Sequence, residues 1–185
     1  MIINHYFEFM NQIEIHEIKN INDPYFDEFW KVYSESFPLN ERRTIEQQIR
    51  IFEKPQYRIN TYLSENQFIG FIAFGTTDEF VFVEHFAIVP EFRNRKLGSA
   101  ILKLFVEVLI TPVILEIEPP TDELTQRRLR FYESSGFIKN DHSHFQPPYH
   151  IGDLPLELVI LTYPTLISSS CYQQFAQFQK DVVMI

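Results

Sequence analysis

Hydrophobic positions recur along this chain with two different periods, and the switches between them mark its elements. Residues 13–18 read Ile-Glu-Ile-His-Glu-Ile, an alternation that predicts a strand with one buried face. Asp23 and Pro24 then supply a cap and a first-turn proline for a helix running to about Ser36, with Phe26, Phe29, Trp30 and Tyr33 on one stripe. Phe37-Pro38 ends it, and residues 38–43 form a polar loop. A second helix is expected from a Thr44 cap, with Glu46 and Gln47 in its first turn and Ile45, Ile49 and Phe52 buried.

From Tyr57 the period becomes two. Segments 57–63, 68–76 and 80–89 read as strands with turns at 64–66 and 77–78, and connections this short make them an antiparallel meander. The octet 93–100, Arg-Asn-Arg-Lys-Leu-Gly-Ser-Ala, follows the apolar run ending at Val89-Pro90 and opens an amphipathic helix that reaches Leu109. A strand at 112–118 comes next, so strand, helix and strand imply a right-handed parallel crossover. Residues 121–135 predict a helix stopped by Gly136, then come a strand at 137–140, a loop rich in His, Tyr and Pro at 142–155, and a closing strand at 156–163. The tail, 164–185, has serines at 168–170 ahead of Tyr172, Phe175 and Phe178 at helical spacing, the pattern of a short docked helix. The fold class is α/β (α+β): one domain over 1–163, a mixed sheet with helices on both faces, followed by the tail.

Composition narrows the function. The 185 residues suffice for one domain with a full core, and 45% hydrophobic with 16% aromatic residues describes a globular chain. A formal charge of −9 argues against general nucleic-acid binding, so any polyanion must be held locally. Cys171 is the only cysteine, which leaves no internal disulfide or cysteine zinc cage and suits a cytoplasmic setting. Residues 1–10 lack a positively charged start, and no apolar run approaches about 18 residues, so neither a signal peptide nor a membrane span is expected.

The octet itself carries chemistry. A basic turn entering a helix points consecutive backbone N–H groups at one spot, where the helix dipole adds positive charge, and Gly98 lets an anion approach the backbone closely. Three carboxylates sit on apolar strands: Glu84, read as sharing a face with Phe86 and opposite His85, and Glu116 and Glu118, which alternate with Leu115 and Ile117. Unpaired charge on such a face is costly, so these are candidates for proton transfer or for pairing with Arg127, Arg128 or Arg130. His142, His144, His150 and Tyr149 share a Pro-rich loop without a fixed carboxylate partner, so the reading is a polar loop lining a cleft and no metal site.

Two separated motifs give the chain a resemblance. Residues 87–100, Ala-Ile-Val-Pro-Glu-Phe-Arg-Asn-Arg-Lys-Leu-Gly-Ser-Ala, and residues 131–137, Phe-Tyr-Glu-Ser-Ser-Gly-Phe, together resemble the GNAT superfamily of acetyl-CoA-dependent N-acetyltransferases over roughly 13–163. The resemblance implies that Arg93, Asn94, Arg95, Lys96, Leu97, Gly98 and Ser99 cradle the cofactor pyrophosphate, and that the backbone at Phe86 and Ile88 holds the acetyl carbonyl and pantetheine arm. It makes Tyr132 the general acid for the leaving thiolate, with Glu84 and Glu118 open as candidates for the base. It implies acetyl-CoA as acetyl donor and a small-molecule or peptide amine as acceptor, with no nucleic acid or membrane partner; a homodimer is allowed. The family loop usually carries glycine where this chain has Lys96, which can still donate its backbone N–H if φ stays in the right-handed region, and often Asn and Ala where it has Thr125 and Arg128. A non-catalytic acyl-CoA-binding module of the same fold is the alternative.

Overall fold

The computed structural model describes residues 13–184; the signal-peptide reading of residues 1–10 lies outside them. The elements are β1 (Ile13–Ile18), α1 (Phe26–Ser36), α2 (Ile45–Ile51), β2 (Tyr57–Ser64), β3 (Gln67–Thr76), β4 (Val81–Ile88), α3 (Leu97–Glu107), β5 (Val113–Ile117), α4 (Glu123–Ser134), β6 (Ile138–Lys139), β7 (His144–Gln146), β8 (Leu156–Tyr163) and α5 (Ser169–Phe178). Short 3-10 turns at Leu39–Glu41 and Pro90–Phe92 and a π-helical turn at Gln179–Val183 complete it. The sheet runs β1-β2-β3-β4-β5-β8-β6, with β7 paired to β8. Every neighbouring pair is antiparallel except β4 with β5, the crossover that α3 spans.

Local chemistry explains the helix starts. Thr44 and Gln47 close a capping box on α2, Asp122 and Thr125 close another on α4, and the Ser168 side chain accepts from the Cys171 N–H to begin α5. Two expectations shift. In α2 the buried residues are Gln48 and Ile51 while Ile49 is exposed, because the short helix turns that stripe outward. Within the expected loop 142–155, residues 144–146 form β7 against Leu156–Leu158 of β8.

The core is layered. On one face α3 and α4 cover Ile69, Ile72, Val81, Val83, Val113 and Leu115, and on the other α1 covers Ile59, Phe71 and Ala73. The second face continues under the tail, where Phe175, Phe178 and Val183 pack on Phe80, Phe82, Ile114 and Ile160. Gly75 has a packing reason to be glycine: a Cβ there would stand 2.5 Å from the Phe178 ring. Among the described residues no helix is long and apolar enough to cross a membrane.

Phe178 meets Phe80 edge to face at 5.7 Å and is buried, so its removal leaves a hole under the sheet. Phe178→Ala is expected to lower the unfolding free energy by about 3 kcal/mol, read from the urea midpoint. A loss below about 0.5 kcal/mol would remove the tail from the cooperative core.

Candidate active site

The cleft arises where two parallel strands part. β4 and β5 pair only at residues 81–83 with 113–115, and beyond that point they splay. At the same place β4 carries an extra residue: Phe74 pairs with Val83 and Ala73 with His85, so Glu84 is bulged out of register. A bulge flips the parity of every strand residue beyond it. Val81 directs its N–H to Pro112 on the β5 side, whereas Val89 directs its N–H to Ile69 on β3, so Phe86 and Ile88 turn their backbone N–H groups towards the opening. The cavity there is about 570 Å³, lined at one end by Arg93, Asn94 and residues 96–99, and at the other by Glu41, Glu84, His85, Glu116, Glu118, Arg128 and Tyr132.

The bulge also changes the face on which Glu84 lies. Phe86 and Ile88 pack with the α3 and α4 cluster, but Glu84 and His85 both lie against the α1 side, which corrects the expectation that Glu84 shares a face with Phe86 and opposes His85. The Glu84 carboxylate is fully buried and accepts from both terminal nitrogens of Arg43, at 2.8 and 2.7 Å, and from the hydroxyls of Tyr57 and Tyr149. Burial alone would raise this carboxyl, but the Arg43 guanidinium and the surrounding donors hold it well below the usual carboxylate range. Burial, and then the Glu84 charge, push the Tyr57 and Tyr149 hydroxyls up, so they stay protonated as donors. Arg43 lies over the Tyr57 and Tyr149 rings and donates to the Val183 carbonyl at 2.6 Å, which brings the tail to the site.

The β5 carboxylates have separate partners. Glu116, almost fully buried, pairs with His144 and accepts from Gln146 and from Gln179 of the tail. Glu118, partly exposed, pairs with Arg128 from α4. Tyr132 lies half-buried on α4 between Phe131 at 5.0 Å and Phe137 at 5.7 Å, and burial pushes its phenol up to about 12 against the opposing charge of Arg128. The loop histidines disperse: His144 goes to Glu116 and Tyr172, His150 to the Leu39 carbonyl, and His142 stacks on Tyr172. Among the described residues no group of three or more His, Cys, Asp or Glu could hold a metal. Cys171, on α5, has its thiol pushed up by burial.

At the other end, the turn into α3 takes a shape that the sequence reading of Lys96 did not anticipate. Lys96 has φ +62° and ψ +9°, the left-handed conformation that glycine favours, and Asn94 has φ +61°. The right-handed condition set for Lys96 is not met: left-handed residues at 94 and 96 curl the chain so that α3 begins directly at Leu97, and the lysine accepts a strain of about 1 kcal/mol. Arg127 donates to the Asn94 side chain at 2.9 Å and Arg93 to the Ile88 carbonyl at 2.8 Å, fixing the turn to α4 and β4. Thr125, where the resemblance often has Asn, is occupied in the Asp122 capping box. The first turn of α3 has neither an acidic residue nor a side-chain cap, so its N–H groups at 97–99 meet the cleft unneutralised.

Residues 16–137, from β1 to just past α4, match the sequence model of the acetyltransferase (GNAT) family. The chain belongs to the GNAT family. Among solved structures it is similar to a GNAT-family chain from Bacteroides thetaiotaomicron, at 29% identity and TM-score 0.85, over 92% of this chain and 98% of that one. It shares its fold with the ribosomal-protein-S18-alanine N-acetyltransferase of Escherichia coli, at 14% identity and TM-score 0.59, covering 85% and 96% of the two chains. A GNAT acetyltransferase of Elizabethkingia anophelis with acetyl-CoA bound matches at 14% identity and TM-score 0.55, over 82% and 97%. No match was found among curated protein sequences. This GNAT protein is an acetyltransferase using acetyl-CoA, and the site fits that co-substrate: uncapped amides at 97–99, a glycine at 98 and the open β4 edge lie along one cleft.

Glu84 contributes stability through its depressed carboxyl. Because its folded value lies below the unfolded value of about 4.3, that contribution is complete above pH about 4.3 and is lost as pH falls towards the folded value. Glu84→Gln is expected to cost about 3 kcal/mol or more at pH 7, since it leaves the Arg43 charge buried without its counterion, and much less at pH 3. Urea melts at both pH values check this; equal losses at the two would contradict it.

Proposed function

We propose that the protein passes the acetyl group of acetyl-CoA directly to a primary amine in a ternary complex. The observation that carries the reading is the cleft itself, which joins an anion-holding turn, the free edge of β4 and Tyr132 in one space. Residues 93–99 would hold the pyrophosphate through backbone N–H groups, with the side chains of Arg93, Arg95 and Lys96 adding positive charge. The N–H groups of Phe86 and Ile88 would bind the pantetheine arm and polarise the acetyl carbonyl, stabilising the negative charge that grows on its oxygen as the amine attacks.

Tyr132 serves the leaving group. Its phenol, pushed up to about 12, is protonated throughout the working pH range. A thiol near 8.5 is the stronger acid by about 3.5 pH units, so the hydroxyl first stabilises the departing sulfur as a hydrogen-bond donor. As the C–S bond breaks the sulfur takes up a proton and leaves as the thiol, and the nitrogen keeps the acetyl group. The carboxylates at the other end of the cleft favour an acceptor that arrives as an ammonium.

Two measurements test the two ends separately. Tyr132→Phe keeps the ring packed against Phe131 and Phe137, so it is expected to melt like the parent and bind acetyl-CoA within about threefold while kcat falls about 100-fold in a thiol-release assay. Full turnover of that variant across pH 6 to 10 would remove Tyr132 from the mechanism. For the other end, a Cβ at Gly98 would meet Ile88 and Phe131 only at 3.6 Å, so Gly98→Ala is tolerated by the fold and gains up to about 1 kcal/mol of helix propensity. Its dissociation constant for acetyl-CoA, measured by calorimetry, is expected to rise at least tenfold, about 1.4 kcal/mol, because the added methyl narrows the cleft between α3, Ile88 and Phe131.

A further inference from the structure

Four carboxylates line the cleft, and three of them are already held. Glu84 has Arg43 and two tyrosine hydroxyls, Glu116 has His144 and two glutamine amides, and Glu118 has Arg128. Glu41 is the fourth. It closes the 3-10 turn Leu39–Glu41, lines the same cavity and is half-buried, and among the described residues no hydrogen bond or ion pair engages its carboxylate. The titratable and charged groups acting on it are Arg128 from α4 and His85 from β4, and Glu84 and Glu118 line the same cavity.

Its backbone is fixed even though its carboxylate is not. The Glu41 N–H donates to the Pro38 carbonyl at 3.0 Å, and the Glu41 carbonyl accepts from the His85 ring at 2.9 Å. Two residues on, the Arg43 N–H donates to the Tyr33 hydroxyl at 2.8 Å while its guanidinium is locked onto Glu84. The loop therefore presents one unengaged carboxylate from a rigid frame, and Glu84 acts as a positioning residue for it.

We propose that Glu41 is the catalytic base for the acceptor, receiving the ammonium group and taking a proton from the nitrogen so that its lone pair can attack the thioester carbonyl. The inference rests on the amine-transfer reading above. In the step an N–H bond breaks, an O–H bond forms on Glu41, and the proton later passes to solvent. Chemistry favours Glu41 over the other three. An alkylammonium near 10.4 gives up its proton to a carboxylate only uphill, and the climb shrinks as the carboxylate's proton affinity rises. Burial raises the Glu41 carboxyl, with Arg128 and His85 only partly opposing, whereas Glu84 is held down.

The test compares acceptors that differ in whether they need a base. Thiol release from acetyl-CoA is measured at pH 7 with phenethylamine, which is an ammonium there, and with methoxyamine, which is already neutral. Glu41→Gln is expected to lower kcat/KM for phenethylamine about 100-fold and for methoxyamine less than about threefold, with acetyl-CoA binding unchanged. Equal losses for both amines, or no loss for either, overturn the assignment. If the wild-type protein binds acetyl-CoA but transfers to neither amine, the amine-transfer reading is what fails. Carboxyl carbon NMR then judges Glu41 by itself: the resonance absent from Glu41→Gln should titrate above the ordinary glutamate range, and one titrating within that range overturns the proposal.

Discussion

A carboxylate and a guanidinium, both removed from water, meet where β4 carries one residue too many, and much of the molecule is arranged around keeping them satisfied. Each buried charge costs several kcal/mol of lost hydration, which mutual attraction offsets only if the remaining hydrogen-bonding positions are filled. Around Glu84 they are filled from three directions: Arg43 from the loop after α1, Tyr57 from β2 and Tyr149 from the loop after β7. The same extra residue reverses the backbone parity of β4, which is why amides at 86 and 88 face the opening. The constraint that fixes the 38–43 loop thus also exposes the strand edge beside it.

The cleft is polarised along its length. A chain with formal charge −9 concentrates Arg93, Arg95 and Lys96 at one turn, next to uncapped helix amides, and gathers four glutamates at the opposite end. Local concentration of opposite charge lets an acidic protein hold a polyanionic co-substrate and still draw a cationic one. Arg128, paired with Glu118, acts on both Tyr132 and Glu41, so the two groups sense the same cation.

Where hydrophobic period and capping chemistry act locally, the sequence was a sufficient guide. β1 at 13–18 and β8 at 156–163 fall where the alternation puts them, and the Thr44 and Ser168 caps start their helices. The bulge was invisible, because 80–83 is apolar on both faces and gives no parity signal to break, so Glu84 was placed one face wrong. Arg43 in a polar loop has the look of a solvated residue; only contact with a carboxylate 41 positions away makes it a core residue. Gln179 reaches Glu116 across 63 positions, another pairing that no local pattern encodes. The 93–100 turn was legible from residue chemistry as a basic entry to a helix, but Tyr132 was singled out only through the resemblance, and Glu41 had no distinguishing sequence signal.

The carbonyl of Val183 accepts from Arg43 across 140 positions of chain. Closing so long a loop costs more chain entropy than forming the meander beside it, so this contact belongs late in folding. Once made it is fully buried, which ties the order of the 38–43 loop to the docking of the tail. Hydrogen exchange in this protein should therefore be graded across the cleft, with amides of β3 and β4 at the slow end and those of the 38–43 loop and the final turn opening together.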